Sequence, residues 1–147
     1  MLNKKLIENY IINNENKLKI NSNEIKNGDI FLALQGNNYH GNKFIEASIN
    51  NGAKFCLTDK KNQIPSNSEK VFFVENIFLF LSDLVKKKRK LFKGKVIGIT
   101  GSAGKTTLKE ALSFFLRKKY KVSSSYRSYN NFLGVILTIL NMNLKAK

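Results

Sequence analysis

One cysteine, one proline, one histidine and no tryptophan stand among 147 residues, and acidic side chains are scarce. Each shortage excludes something. Cys56 alone rules out an internal disulfide framework and any metal site built from several cysteines. The longest unbroken apolar runs, Ile30–Leu34 and Ile77–Leu81, fall far short of the roughly eighteen residues that a spanning helix needs, so no membrane insertion is expected. Near the start, Glu8 and Asn9 interrupt any leader-like apolar stretch and no small-residue cleavage site follows, so the expected location is cytoplasmic. An apolar share of 42% is enough for a packed core, and the mean hydropathy of -0.28 is ordinary for a globular chain.

The shortage of acids is confined to one part of the chain. Lys and Arg number 26 against ten Asp and Glu, a formal charge of +16. Residues 1–85 carry ten basic and nine acidic residues, net +1, whereas residues 86–147 carry sixteen basic residues and only Glu110, net +15. Such a charge can attract nucleic acid. However, 23 of the basic residues are lysine beside 20 Asn and 14 Ile, residues with A/T-rich codons. The charge alone therefore does not argue for a nucleic-acid partner, and none is expected.

What is present is an alternation of helical and strand patterns. Leu2, Leu6, Ile7, Tyr10 and Ile11 have helical spacing. Ile30–Leu34 reads as a buried strand followed by a glycine-bearing loop, and Lys43–Asn51 as a helix ending at Gly52. Lys54–Thr58 and Val71–Val74 read as short strands, with Pro65 in the polar connection. A longer helix starts at Asn76 and ends in the basic run KKKRK, read as a solvated helix end favoured by the dipole. Lys95–Thr100 reads as the interior strand of a parallel sheet, Lys105–Lys119 as a helix, Lys121–Ser124 as a strand and Phe132–Leu140 as a helix. The expected fold is α/β: a small domain over residues 1–75, then the start of a phosphate-loop, parallel-sheet domain over residues 76–147. Phe78, Phe80, Phe114 and Phe115 are expected in the core, Cys56 buried, and His40 exposed without a partner.

Chemistry concentrates at VIGIT-GSAG-KTTLKEALSFFL. Phosphate binding needs glycines that let backbone N–H groups approach oxygens, a lysine for the outer phosphates, a hydroxyl for magnesium and a helix N-terminus behind them. Gly101, Ser102, Ala103, Gly104, Lys105, Thr106 and Thr107 supply these, with Lys105 as the catalytic cation and Thr106 as the metal ligand. Ile99 stands where the common pattern has its first glycine.

Thr100–Glu110, T-G-S-A-G-K-T-T-L-K-E, resembles the ATP loop of the Mur ligases, the amide-forming ligases of peptidoglycan assembly. NNFLGVILTIL (Asn130–Leu140) is similar to a second segment of that family, with Ile136 in place of its proline. NSNEIKNGDIFLALQGNNYHGNKF resembles the family's uridine-nucleotide domain, with Asn21-Ser22-Asn23 for D-S-R and His40-Gly41-Asn42 for D-G-H. The resemblance implies ATP and Mg2+ as cofactors, and Ser22, Asn130 and Asn131 as substrate-binding residues. It also implies the branch of the family that joins D-alanyl-D-alanine to UDP-N-acetylmuramoyl-tripeptide through an acyl phosphate. Residues 111–147 contain no Asp, Glu or His, so the expected chain is the N-terminal portion of such a ligase, inactive without the remaining part. The alternatives are a stand-alone nucleotide-binding module without catalysis and, on charge alone, a nucleic-acid binder.

Overall fold

A computed structural model describes residues 3–62, 64, 69–125 and 131–147. Its centre is a four-stranded, all-parallel sheet in the order β1 (Leu18–Lys19), β2 (Ile30–Ala33), β3 (Phe55–Thr58) and β4 (Val71–Phe73). Ile30 lies opposite Phe55 and Cys56 opposite Val71. Every residue of β2 and β3 is buried, as expected of parallel strands covered on both faces.

Side-chain alternation along β2 sends its residues to two separate layers. Ile30 and Leu32 join a cluster with α1 (Lys4–Asn13), α3 (Ile77–Leu91) and α5 (Phe132–Asn141), which contribute Ile7, Ile11, Leu81, Leu84, Leu137 and Leu140. Phe31 and Ala33 face the other way and pack with Ile45 of α2 (Ile45–Asn50), Ala53 and Cys56. The α/β class and the buried Cys56 agree with the sequence. The first cluster crosses residue 75, because α3 and α5 both lie on the sheet.

Local signals explain the helix ends. The Asn3 side chain accepts from Lys5 N and that of Asn76 from Leu79 N, closing the first turns of α1 and α3. Gly52, at φ +99°, ends the α2 connection in the left-handed region.

Several expectations fail. Lys95–Thr100 forms no strand, and Val96 and Ile97 are 62% and 60% exposed. An apolar run becomes an interior strand only where neighbouring strands complete its ladder, and no described residue pairs with it. Lys121–Ser124 likewise forms no strand; the carbonyl of Lys121 accepts from Lys147 N at 3.0 Å instead. Of the four phenylalanines expected in the core, only Phe80 is buried. Phe78 is partly exposed, and Phe114 and Phe115 of α4 (Lys105–Arg117) are largely exposed, because α4 has no sheet behind it. His40 is buried rather than exposed, and so is Lys88 in the basic run. Pro65 lies outside the described residues.

Candidate functional site

The loop before α4 turns on two glycines. Gly101 and Gly104 hold φ of +148° and +75°, both in the region that side-chain-bearing residues rarely adopt. Gly104 is the N-cap residue of α4, and no side chain caps that turn. The positive end of the helix therefore faces outward across an exposed loop. Lys105 Nζ folds back over the loop and donates to the carbonyls of Gly101 and Ser102. An arriving phosphate would exchange these neutral acceptors for a charged one, a stronger partner. Ser102, Ala103, Thr106 and Thr107 are all exposed.

A cleft of about 680 Å³ runs beside this helix, and Lys105 and Thr106 line it together with Arg89, Lys95, Lys109 and Ser125. Its described lining has five basic side chains, Lys147 among them, and no acidic one, a field that concentrates anions. Glu110, the sole acid of the basic half, pairs with Lys109 at 3.0 Å. No group of three or more His, Cys, Asp or Glu side chains stands together among the described residues. A magnesium ion that keeps most of its ligands as water and phosphate oxygens needs few protein groups. The hydroxyl of Thr106 fits that role; a carboxylate partner for it is not among the cleft's lining residues.

A second cleft, of about 360 Å³, opens between the edge of β1 and residues 123–124, with Lys19, Glu24, Lys26 and Thr138 on its walls. Ser123, Ser124 and Thr138 line both clefts, so the two share a wall. The sequence pattern did not single out these residues; two serines in a polar stretch carry no spacing signal. Ser22 lies in the 3₁₀ turn Ser22–Glu24 that supplies Glu24 to the second cleft. It is 8% exposed, and its carbonyl accepts from Asn51 Nδ2 at 3.1 Å. Asn131 caps α5, its Oδ1 accepting from Gly134 N at 2.7 Å, at the opposite end of the helix from Asn141, which lines the second cleft. Asn130 lies outside the described residues.

Sequence reasoning also missed a buried polar network at the carboxyl ends of β2 and β3. His40 Nε2 meets Asp59 Oδ1 at 3.1 Å, and its Nδ1 accepts from Asn42 N, which fixes the proton on Nε2. Asn42 Nδ2 donates to the carbonyls of Lys60 and Asn62, while its Oδ1 accepts from Thr58 Oγ1. His40 and Asn42 stand where D-G-H has its acid and histidine, and here they bind the loop after β3.

The family model described as "Mur ligase family, catalytic domain" matches residues 16–90, from the approach to β1 through nearly all of α3. The chain belongs to the Mur ligase family. The UDP-N-acetylmuramoyl-tripeptide–D-alanyl-D-alanine ligase of Rickettsia prowazekii is 38% identical over 129 residues, covering 88% of this chain and 28% of that protein. The enzyme of the same name from Synechocystis is 32% identical over 127 residues, 86% of this chain and 28% of that protein. Among solved structures, the MurF ligase of Thermotoga maritima in complex with ADP superposes with a TM-score of 0.69 at 34% identity, over 92% of this chain and 31% of that one. The chain thus spans under a third of the length of these Mur ligases. No described helix is long and apolar enough to cross a membrane.

Proposed function

We propose that this chain carries the uridine-substrate domain (residues 1–75) and the beginning of the ATP domain (residues 76–147) of a ligase that joins D-alanyl-D-alanine to UDP-N-acetylmuramoyl-tripeptide. Such an enzyme works in cytoplasmic synthesis of the peptidoglycan precursor. The observation that carries the reading is the uncapped turn at Gly104–Lys105, with left-handed glycines, in a chain that resembles ligases of this name over most of its own length. ATP would transfer its outer phosphoryl group to the terminal carboxylate of the tripeptide. The amine of D-alanyl-D-alanine would then attack the acyl phosphate, forming the amide and releasing phosphate. Loop amides over Gly101–Gly104 would hold phosphate oxygens, and Lys105 would neutralise charge on the outer phosphates. Thr106 would give its hydroxyl to magnesium, which supplies charge stabilisation when bound. Ser22, Asn130 and Asn131 would contact the uridine-nucleotide substrate.

The second reading is a nucleotide-binding module without catalysis, favoured by a described cleft lining beside Lys105 and Thr106 that holds no acidic side chain and no histidine. Calorimetry with ADP and with UDP-N-acetylmuramoyl-tripeptide separates the two. Binding of both supports the ligase reading, ADP alone supports the module, and binding of neither rejects both.

A further inference from the structure

α5 is anchored at its C-terminal end by two side chains that the proposed chemistry does not use. Lys88 of α3 is fully buried. Its Nζ donates to the carbonyls of Ile11 at 3.1 Å, Asn14 at 3.0 Å and Leu140 at 2.6 Å. An ammonium has three protons, and here each has an acceptor. Ile11 and Leu140 lie in the last turns of α1 and α5, and Asn14 is the C-cap residue of α1. Carbonyls there lack intrahelical partners and carry the negative end of the helix dipole. Two helix ends thus converge on one cation. A buried charge is costly unless it is fully bonded, so the arrangement favours only the pose that presents all three carbonyls together.

Asn141 is the second anchor. Its Oδ1 accepts from Leu18 N at 2.8 Å and its Nδ2 donates to Leu18 O at 3.0 Å, while its own carbonyl accepts from Asn16 N at 3.0 Å. α5 is consequently tied to α1 and α3 through Lys88 and to β1 through Asn141. The tied helix presents Thr138 to both clefts and Asn131 at its far end, about 15 Å away at 1.5 Å per residue.

We propose that Lys88 and Asn141 are positioning residues that fix α5 against α1 and β1 so that Thr138 and Asn131 stand where the uridine-nucleotide substrate needs them. The substrate part of this rests on the function proposed above; the mechanical part does not. Lys88 lines neither cleft, so any loss of ligand affinity in its variant is indirect, transmitted through the helix ends that it joins.

The test uses the 147-residue chain with Lys88→Met and Asn141→Ala, the latter retaining the lysine anchor in case the former does not fold. Hydrogen exchange is read at Gly134 N, the amide held by Asn131, with the amides of β2 and β3 as internal reference. We expect exchange at Gly134 to accelerate about tenfold or more, the scale of losing buried bonds to a charged or bidentate partner, while β2 and β3 keep their rates. Unchanged exchange at Gly134, or equal acceleration everywhere, overturns the proposal. In calorimetry Lys88→Met, whose side chain lines neither cleft, should lose about tenfold in affinity for UDP-N-acetylmuramoyl-tripeptide and keep that for ADP; equal loss for both ligands, or loss for neither, also overturns it. Should the unmodified chain bind no tripeptide precursor, the ligase reading falls, and the exchange data still decide whether the anchors hold α5.

Discussion

Gly41 presses directly on the end of β2: a Cβ at Gly41 would lie 2.8 Å from the Cα of Ala33 and 2.9 Å from the amide nitrogen of Leu34. Both are backbone atoms, one in buried Ala33 and one in the residue just past it, so neither can yield by turning a side chain. The Gly41 amide also donates to the Leu34 carbonyl at 2.8 Å, which holds the two segments at that separation. Gly41→Ala should therefore destabilise the chain by about 1–3 kcal/mol, the usual cost of overpacking. Urea denaturation of both forms checks this; an unchanged midpoint would show that the 3₁₀ turn over residues 41–44 can move off β2.

Lys105→Ala removes the side-chain cation that folds over the Gly101–Gly104 loop. A charge-assisted hydrogen bond contributes about 1.5–3 kcal/mol, so ADP affinity should fall roughly ten- to a hundredfold. Thr106→Ala should lose only the magnesium-dependent part. Titration calorimetry with and without magnesium separates the two, and equal affinity in wild type and Lys105→Ala would remove Lys105 from the site.

Burial pushes the Lys88 ammonium down from 10.5 to about 8, with Glu15 partly opposing the shift. The unfolded chain then binds more protons than the folded one between about pH 8 and 10.5, and stability rises with pH wherever the unfolded state holds the excess. Below about pH 8 the cost of burying the charge is present in full. The difference in urea midpoint between wild type and Lys88→Met should accordingly shift in favour of wild type as pH climbs through that window. A difference independent of pH would mean that Lys88 titrates at its ordinary value.

Turnover should be absent from the 147-residue chain supplied with ATP, magnesium, UDP-N-acetylmuramoyl-tripeptide and D-alanyl-D-alanine. Glu110 is held by Lys109 and no acid lines the cleft that Lys105 and Thr106 share, so that lining offers no carboxylate to fix the metal. Displacement of reacting groups by about 1 Å costs on the order of a hundredfold. Substrate-dependent phosphate release near one per second or faster, an ordinary enzyme rate, would bring Glu110 and His40 back as catalytic candidates.

How far the sequence reached follows from which interactions are local. The caps at Asn76 and Gly52 and the glycine loop at 101–104 were readable because each is set by residues one to four positions apart. β1 was missed: two residues cannot display a period, and Leu18 becomes a strand only by lying beside Ile30. His40 looked solitary because Asp59 is nineteen residues away in the chain and adjacent only once β2 and β3 are paired. Lys88 was indistinguishable from its neighbours in KKKRK, since only helix phase against α1 and α5 turns it inward. Lys95–Thr100 failed for the converse reason: its composition suits an interior strand, but a ladder is a property of partners.

The amide of Asn141 has a consequence beyond α5. Leu18 turns both its N–H and its C=O away from β2, toward the side where a fifth strand would add, and the single side chain of Asn141 takes both. An open strand edge invites pairing with another chain. Here one asparagine imitates a one-residue strand and closes that border, so the sheet ends at β1 by hydrogen-bond saturation, and Asn141→Ala would reopen it to association between copies.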